Sequence, residues 1–355
     1  VSLCIHDIIT KKRNGLPLDR EEIAFFVRGC IDRKIDACQA AAFLMAVVIR
    51  GMTLDETVWL TREMMDSGQV LDLGGPPRPA VDKHSTGGIG DKISLILLPI
   101  AVECGLRVPM ISGRALGFTG GTLDKLESIP GMRTDLTPER IIRQVNEVGG
   151  CFAGQTDDIV PADRELYALR DITSTVESVP LIASSILSKK FAEGIEGVVI
   201  DVKCGRGAFM EKINDASELA RALESVGERM GVRVRTVITS MDEPLGWAVG
   251  NALEVQETIR TLQGAGAGDC LAVTHRLAAE MLLIGGVVSN IADGERLSVE
   301  AIESGSALRR FERIVAAQGG RLELGKPGFG LPQARAQKRF ESPVHGYVGG
   351  IDARA

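Results

Sequence analysis

The chain has 355 residues, 45% of them apolar and 25% charged, with a net charge of −6 and a pI near 5.5. That length is enough for two domains and a large buried core. The acidic balance argues against a general nucleic-acid binder, which needs a basic excess to displace counterions, so an anionic partner should be small and met by a local basic pocket.

No apolar run reaches the roughly 18 residues that suggest a membrane span. The stretches 41-AAFLMAVVI-49 and 93-ISLILLPIAV-102 are too short and read as buried helices. The N-terminal VSLCIHDIITKKRNG places charge after the apolar residues, the reverse of a secretory signal. The seven cysteines (Cys4, Cys30, Cys38, Cys104, Cys151, Cys204 and Cys270) are scattered and form no CxxC pair. That usage suits a reduced, cytoplasmic protein with neither a disulfide framework nor a zinc site.

The first 66 residues read as helices. Asp19 caps 20-REEIAFFVRG-29 with Glu22 completing a capping box, and Ile23, Phe26, Val27 and Cys30 share one face. A second helix spans about 36 to 50 and ends at Gly51. Thr53 and Glu56 box the start of a third, which runs through Met65 and is closed by Gly68. The Pro- and Gly-rich 74-GGPPRPA-80 excludes helix, and residues 67–78 read as a linker or hinge.

Beyond the hinge, strand-like runs (108–112, 151–155, 198–203 and 232–240) alternate with helical stretches, one of them opened by Thr137 and Pro138. This alternation predicts an α/β domain with a mainly parallel central sheet. From Pro161 to about Lys190 the alternation breaks into two helices separated by Pro180, with no strand. The economical reading returns this excursion to the N-terminal helices. The predicted architecture is then α/β plus all-α, with a small helical domain (1–66 and 162–192), a large α/β domain (79–154 and 196–355) and a cleft between them. After residue 325 the pattern weakens, and 341-ESPVHGYVGGIDA-353 reads as one or two strands that begin a unit the sequence does not finish.

Four segments carry chemistry. In 81-VDKHSTGGIGDKIS-94, glycines and hydroxyls lie between a strand-like lead-in and a helix, where backbone N–H groups can turn toward an anion. The segment fits neither the Walker A nor the dinucleotide-binding pattern. In 112-SGRALGFTGGTLDKLE-127 a second strand runs into a Gly-rich loop, and the bland alternative is a turn with Arg114 paired to Glu127. One such loop is more often structural; two at the carboxyl ends of neighbouring strands favour a shared ligand. In 162-ADRELYALRDITSTVESVPLIASSILSKK-190, Ser185 and Lys189 share a helix face at i, i+4, and Arg170 lies on the preceding helix. The bland alternative pairs Arg170 with Asp171 or Glu177 and leaves Lys189 solvated. The fourth, 201-DVKCGRGAFM-210, is a strand entering another turn, a pocket wall or simple packing.

These motifs, with GQT, YALRDIT, PLI-x-SSI-x-SKK, 241-MDEPLG-246 and 250-GNALEV-255, occur at spacings that resemble the thymidine and pyrimidine-nucleoside phosphorylases, to about residue 350. The resemblance implies phosphorolysis of a pyrimidine nucleoside by a cytoplasmic homodimer joined through the helical domain, with phosphate as co-substrate and neither cofactor nor metal. It assigns phosphate to Lys83, Ser85, Ser94, Ser112 and Thr122, and the pyrimidine to Arg170, Ser185 and Lys189. It places His84 near sugar and base, with Arg170, Lys189 and His84 in catalytic roles.

Three positions depart from the family's pattern: Ala115 for glycine, Phe118 for histidine and Arg206 for a small residue. Family members continue for several tens of residues past the point where this sequence stops, so the large domain is expected to be incomplete at its C-terminus. Two alternatives remain at this stage: an enzyme like the anthranilate phosphoribosyltransferases, and an inactive homologue.

Overall fold

The computed structural model describes residues 3–75, 78–115 and 120–352. The N-terminal helices are α1 (Ile5–Arg13), α2 (Arg20–Ile31), α3 (Ala37–Arg50) and α4 (Leu54–Met65). Both expected capping boxes form: Asp19 Oδ1 accepts the Glu22 N–H at 2.9 Å, and Thr53 Oγ1 accepts the Glu56 N–H at 3.2 Å. The central part continues β1 (Val81–Ser85), α5 (Ile93–Glu103), β2 (Val108–Ser112), α6 (Thr122–Leu126), α7 (Pro138–Val148) and β3 (Gly150–Gly154). Then come α8 (Pro161–Ile172), α9 (Val179–Ala192), β4 (Gly197–Cys204), α10 (Ile213–Met230) and β5 (Arg233–Ser240). Four helices follow: α11 (Asn251–Leu262), α12 (Gly268–Ile284), α13 (Ile291–Glu303) and α14 (Ser306–Ala317).

The excursion α8–α9 packs on α2, α3 and α4. Small residues let α4 and α9 approach closely, and the Thr61 hydroxyl donates to Ser184 Oγ at 3.2 Å across the contact. Phe26 and Phe43 stack at 3.9 Å in the same core. Each fully buried side chain of this size contributes about 1.5–3 kcal/mol, so the excursion is held mainly by apolar burial. The segment before β1 is pinned as well. Leu71 donates its N–H to the Ala192 carbonyl at 2.8 Å, and Arg107 reaches the carbonyls of Leu73, Gly74 and Arg78.

All strand pairs are parallel, but they form two ladders, β1-β4-β5 and β2-β3. A single bridge between Ala80 and Arg107 joins them into the order β3-β2-β1-β4-β5. The chain steps outward from β1 to β3, passes through α8 and α9, and returns on the far side of β1. Strand order therefore reverses between β1 and β4, and ligands of open α/β sheets bind at the carboxyl ends of strands beside such a reversal.

Alternation along β4 divides the two cores. Val198, Ile200 and Val202 join the core of the helical unit and α10, whereas Val199 joins that of α5, α11, α12 and α14. Of the two expected buried helices, α5 is enclosed from Ile93 to Val102, while α3 leaves Ile49 68% exposed. The expected C-terminal strands do not form among the described residues 341–352. Phe340, Val344 and Tyr347 project into solvent there, and a lone apolar alternation with no partner edge has nothing to satisfy its backbone.

Candidate active site

Strand β1 distributes the site by its two-residue period. Lys83 and Ser85 face α5, and Asp82 faces α9. His84 shares the parity of Asp82. Lys83 is buried, with Nζ 3.3 Å from Ser94 Oγ and 3.6 Å from Asp201 Oδ2. The Ser85 hydroxyl donates to Asp91 Oδ2 at 2.5 Å and accepts the Gly87 N–H at 3.1 Å, closing a tight turn. Gly90 has φ +71°, and a Cβ there would lie 3.1 Å from the Leu245 carbonyl oxygen, so the turn needs glycine.

Beneath this loop lies a set of buried charges. Asp201 Oδ2 is 2.7 Å from Lys203 Nζ, and its Oδ1 accepts the Thr239 hydroxyl at 2.6 Å. Lys125 donates to the Asp91 carbonyl at 2.6 Å and pairs with Glu254 at 2.8 Å. Burial alone would raise the Asp91 carboxyl, but Lys203, Lys83, Lys125 and the Ser85 hydroxyl hold it far below the usual carboxylate range. Lys83, Lys125 and Lys203 thus converge around two carboxylates, Asp91 and Asp201.

Ser112 closes β2 and Thr122 opens α6; both are half-buried. The Leu123 N–H approaches the Gly113 carbonyl at 3.4 Å, which keeps the two hydroxyl-bearing segments adjacent. A Cβ on Gly121 would fall 2.2 Å from the Ala115 nitrogen, so that glycine permits the loop's return. Arg114 does pair with Glu127, at 2.7 Å. Ala115 is exposed and donates its N–H to Asp124 at 2.7 Å. Arg206 is exposed on the turn after β4. Phe118 lies outside the described residues.

On the helical side, Lys189 donates to Ser185 Oγ at 2.9 Å and pairs with Asp163. Arg170 and Lys189 share the face of Tyr167, at 5.5 and 6.0 Å from its centroid. Neither Asp171 nor Glu177 binds Arg170. Its guanidinium instead donates to the carbonyls of Thr175 (3.2 Å), Leu181 (3.1 Å) and Val176 (2.8 Å), clamping the turn between α8 and α9. Burial lowers the pKa of both cations, against the opposing pull of Asp163.

His84 stands between the two groups. Burial, then Lys190, Lys189 and Lys83, hold its pKa well below the ordinary 6.5, so the imidazole is neutral at physiological pH. Asp82, Asp91, Asp163, Asp201, Lys190, Glu193 and Lys203 were not singled out by the sequence, although the i, i+2 pair Asp201/Lys203 on a strand places both on one face.

Residues 77–308 match the glycosyl transferase family a/b domain, and residues 6–68 match the helical bundle domain of that family. The chain is 49% identical to the thymidine phosphorylase of Rhizobium meliloti, over 96% of this chain and 78% of that one. It is 44% identical to the pyrimidine-nucleoside phosphorylase of Geobacillus stearothermophilus, over 98% and 81%. In fold it is similar to anthranilate phosphoribosyltransferase from Thermus thermophilus, with TM-score 0.70, 21% identity, and 88% of this chain and 99% of that one covered. Sequence identity at this level, along nearly the whole chain, makes it a member of the thymidine and pyrimidine-nucleoside phosphorylase family.

Proposed function

We propose that the protein cleaves pyrimidine nucleosides with phosphate, converting thymidine and phosphate to thymine and 2-deoxyribose 1-phosphate in pyrimidine salvage. The observation that carries this reading is the alternation of β1. It turns Lys83 and Ser85 toward one buried cation cluster, while the electrostatic neighbours of His84 include Lys189 of α9. A nucleophilic anion on one side and a leaving base on the other is the division that phosphorolysis requires.

In the proposed reaction, Lys83, Ser85, Ser94, Ser112 and Thr122 hold phosphate for attack on C1′ of the sugar. As the glycosidic bond breaks, positive charge builds on the sugar and negative charge on the pyrimidine. Lys189 and Arg170 supply positive potential on the base side, with the Ser185 hydroxyl beside them; donors aimed at developing charge are commonly worth about 3–4 kcal/mol. A neutral His84 acts by hydrogen bonding to sugar or base rather than as an imidazolium acid. Asp91 and Asp201 neutralise the lysines until the anion arrives.

The reading extends to a homodimer through the helical unit, supported by Met45, Ile49 and Leu54, which are 38%, 68% and 39% exposed. The dispersed free cysteines favour a cytoplasmic setting, and none of the described helices is long and apolar enough to cross a membrane. We propose no cofactor.

The test is ultraviolet detection of thymine release from thymidine, with and without phosphate. Release that requires phosphate supports the reading. Phosphate-independent release, or none from any pyrimidine nucleoside, overturns it.

A further inference from the structure

Lys190 follows Lys189 on α9 but points elsewhere. Its ammonium is buried and donates to Asp82 Oδ2 on β1 (2.5 Å), to the Ile111 carbonyl on β2 (2.8 Å) and to Glu193 Oε1 on its own helix (2.7 Å). Glu193 Oε1 also accepts the Ile111 N–H, at 3.0 Å. The backbone groups of Ile111 that would continue a ladder to β1 are thus taken by side chains of α9. Strands β1 and β2 are bridged at Ala80 and Arg107, and past that point the Lys190 and Glu193 side chains of α9 form a polar wedge that joins them.

Each residue the wedge touches adjoins a residue assigned to substrate. Asp82 precedes Lys83 and shares a strand face with His84. Ile111 precedes Ser112. Lys190 follows Lys189, one helical turn from Ser185. One ammonium therefore links three segments that carry both halves of the site.

The wedge is polar where an apolar plug would be easier to bury. Replacing buried ion pairs with packed hydrophobic residues is often neutral or stabilising, so their presence is weak evidence for a stability role. Two of its oxygens, Asp82 Oδ1 and Glu193 Oε2, have no donor. Burial, then the adjoining Asp82, push the Glu193 carboxyl well above its usual range, the direction in which a protonated Glu193 would supply a donor.

We propose that Lys190, acting with Asp82 and Glu193, is a positioning residue that sets the separation between the phosphate-holding strands and α9. The substrate it positions for rests on the phosphorolysis reading; the wedge between strands does not. Displacements of about 1 Å can cost on the order of 100-fold in rate.

Kinetics and hydrogen exchange on the intact protein test the proposal together. Lys190→Met should lower kcat by roughly 100-fold while KM for phosphate and for thymidine each stay within about threefold. Glu193→Gln keeps the oxygen that Lys190 and Ile111 share and should retain near-wild-type kcat, whereas Glu193→Ala should fall with Lys190→Met. The two Glu193 variants carry the test should Lys190→Met fail to fold. In the damaging variants, backbone amides near 82–85 and 110–112 should exchange faster while those of α2 to α4 do not.

A Lys190→Met enzyme with kcat intact, a Glu193→Gln enzyme as damaged as Glu193→Ala, or exchange rising uniformly across the molecule would overturn the proposal. The exchange arm needs no turnover. Absence of phosphorolysis in the wild type would refute the functional reading, while the exchange pattern still decides whether Lys190 holds β1 against β2.

Discussion

The two halves of the site treat their cations differently. Around β1 and α5, Lys83, Lys125 and Lys203 are balanced by Asp91 and Asp201, side chains at the carboxyl ends of strands or in the loops beyond them. Around α8 and α9, Arg170 gives its donors to backbone carbonyls, and Lys189 has the carboxylate of Asp163. The first half is a buried charge cluster already formed without ligand, and in the proposed reaction it is where phosphate binds. In the second, Arg170 shapes the turn and Lys189 is the cation left to meet a ligand. Under the proposed assignments, the electrostatic work on the phosphate side is done before substrate arrives, whereas on the base side it depends on what the turn allows.

The largest expected effect lies on the preorganised side. Lys83→Ala should reduce kcat/KM by about 1,000-fold, with the loss concentrated in the phosphate dependence of thymine release. A variant that kept its phosphate affinity would remove Lys83 from the phosphate site. Arg170→Ala should nearly abolish turnover and also lower stability by about 3 kcal/mol, because two buried carbonyls and one part-buried carbonyl lose their donor. Thermal unfolding beside activity separates the two roles: lost activity at unchanged stability would mean that Arg170 acts on substrate alone, and an active Arg170→Ala enzyme would refute the base site.

Asp163→Asn should act more mildly, raising KM for the nucleoside by about tenfold as Lys189 loses its partner. It also has a signed pH effect. Burial lowers the Lys189 pKa and Asp163 raises it, so removing Asp163 lowers it further. The alkaline limb of the kcat profile should therefore move to lower pH; a shift upward would contradict the pairing. His84 should contribute no titration between about pH 6 and 8, since its pKa lies well below 6.5. An acidic limb near 6.5 that vanished in His84→Asn would show an imidazolium at work. A further effect is thermal: phosphate at 100 times its Kd should add about 2.7 kcal/mol of stability, and Lys83→Ala should lose most of that gain.

Much of the architecture was legible because its signals are local. Capping boxes at Asp19 and Thr53, the N-cap Thr137, and the apolar runs of β2 and β4 depend on residues within a few positions of one another. The return of α8 and α9 to the N-terminal helices was read from an interrupted alternation, a longer-range argument that their packing on α2 to α4 matches. The C-terminal strands, read as the start of an unfinished unit, do not form among the described residues, because alternation states which face a strand would bury and supplies no neighbour. The split of the sheet into two ladders had no sequence signal at all. It coincides with the contacts of Lys190 and Glu193, whose partners lie some 80 to 110 residues away in the chain.

The residues assigned to substrate were named through the family resemblance that the Gly-rich turns, the hydroxyls and the SKK end of α9 carry. What the tertiary structure alone decided is which charge answers which. Asp91 and Asp201 facing Lys83, Asp163 holding Lys189, and Arg170 bound to backbone depend on strand parity and helix docking. Charge pairing is a property of distance in space, and one strand step or one helical turn exchanges one partner for another.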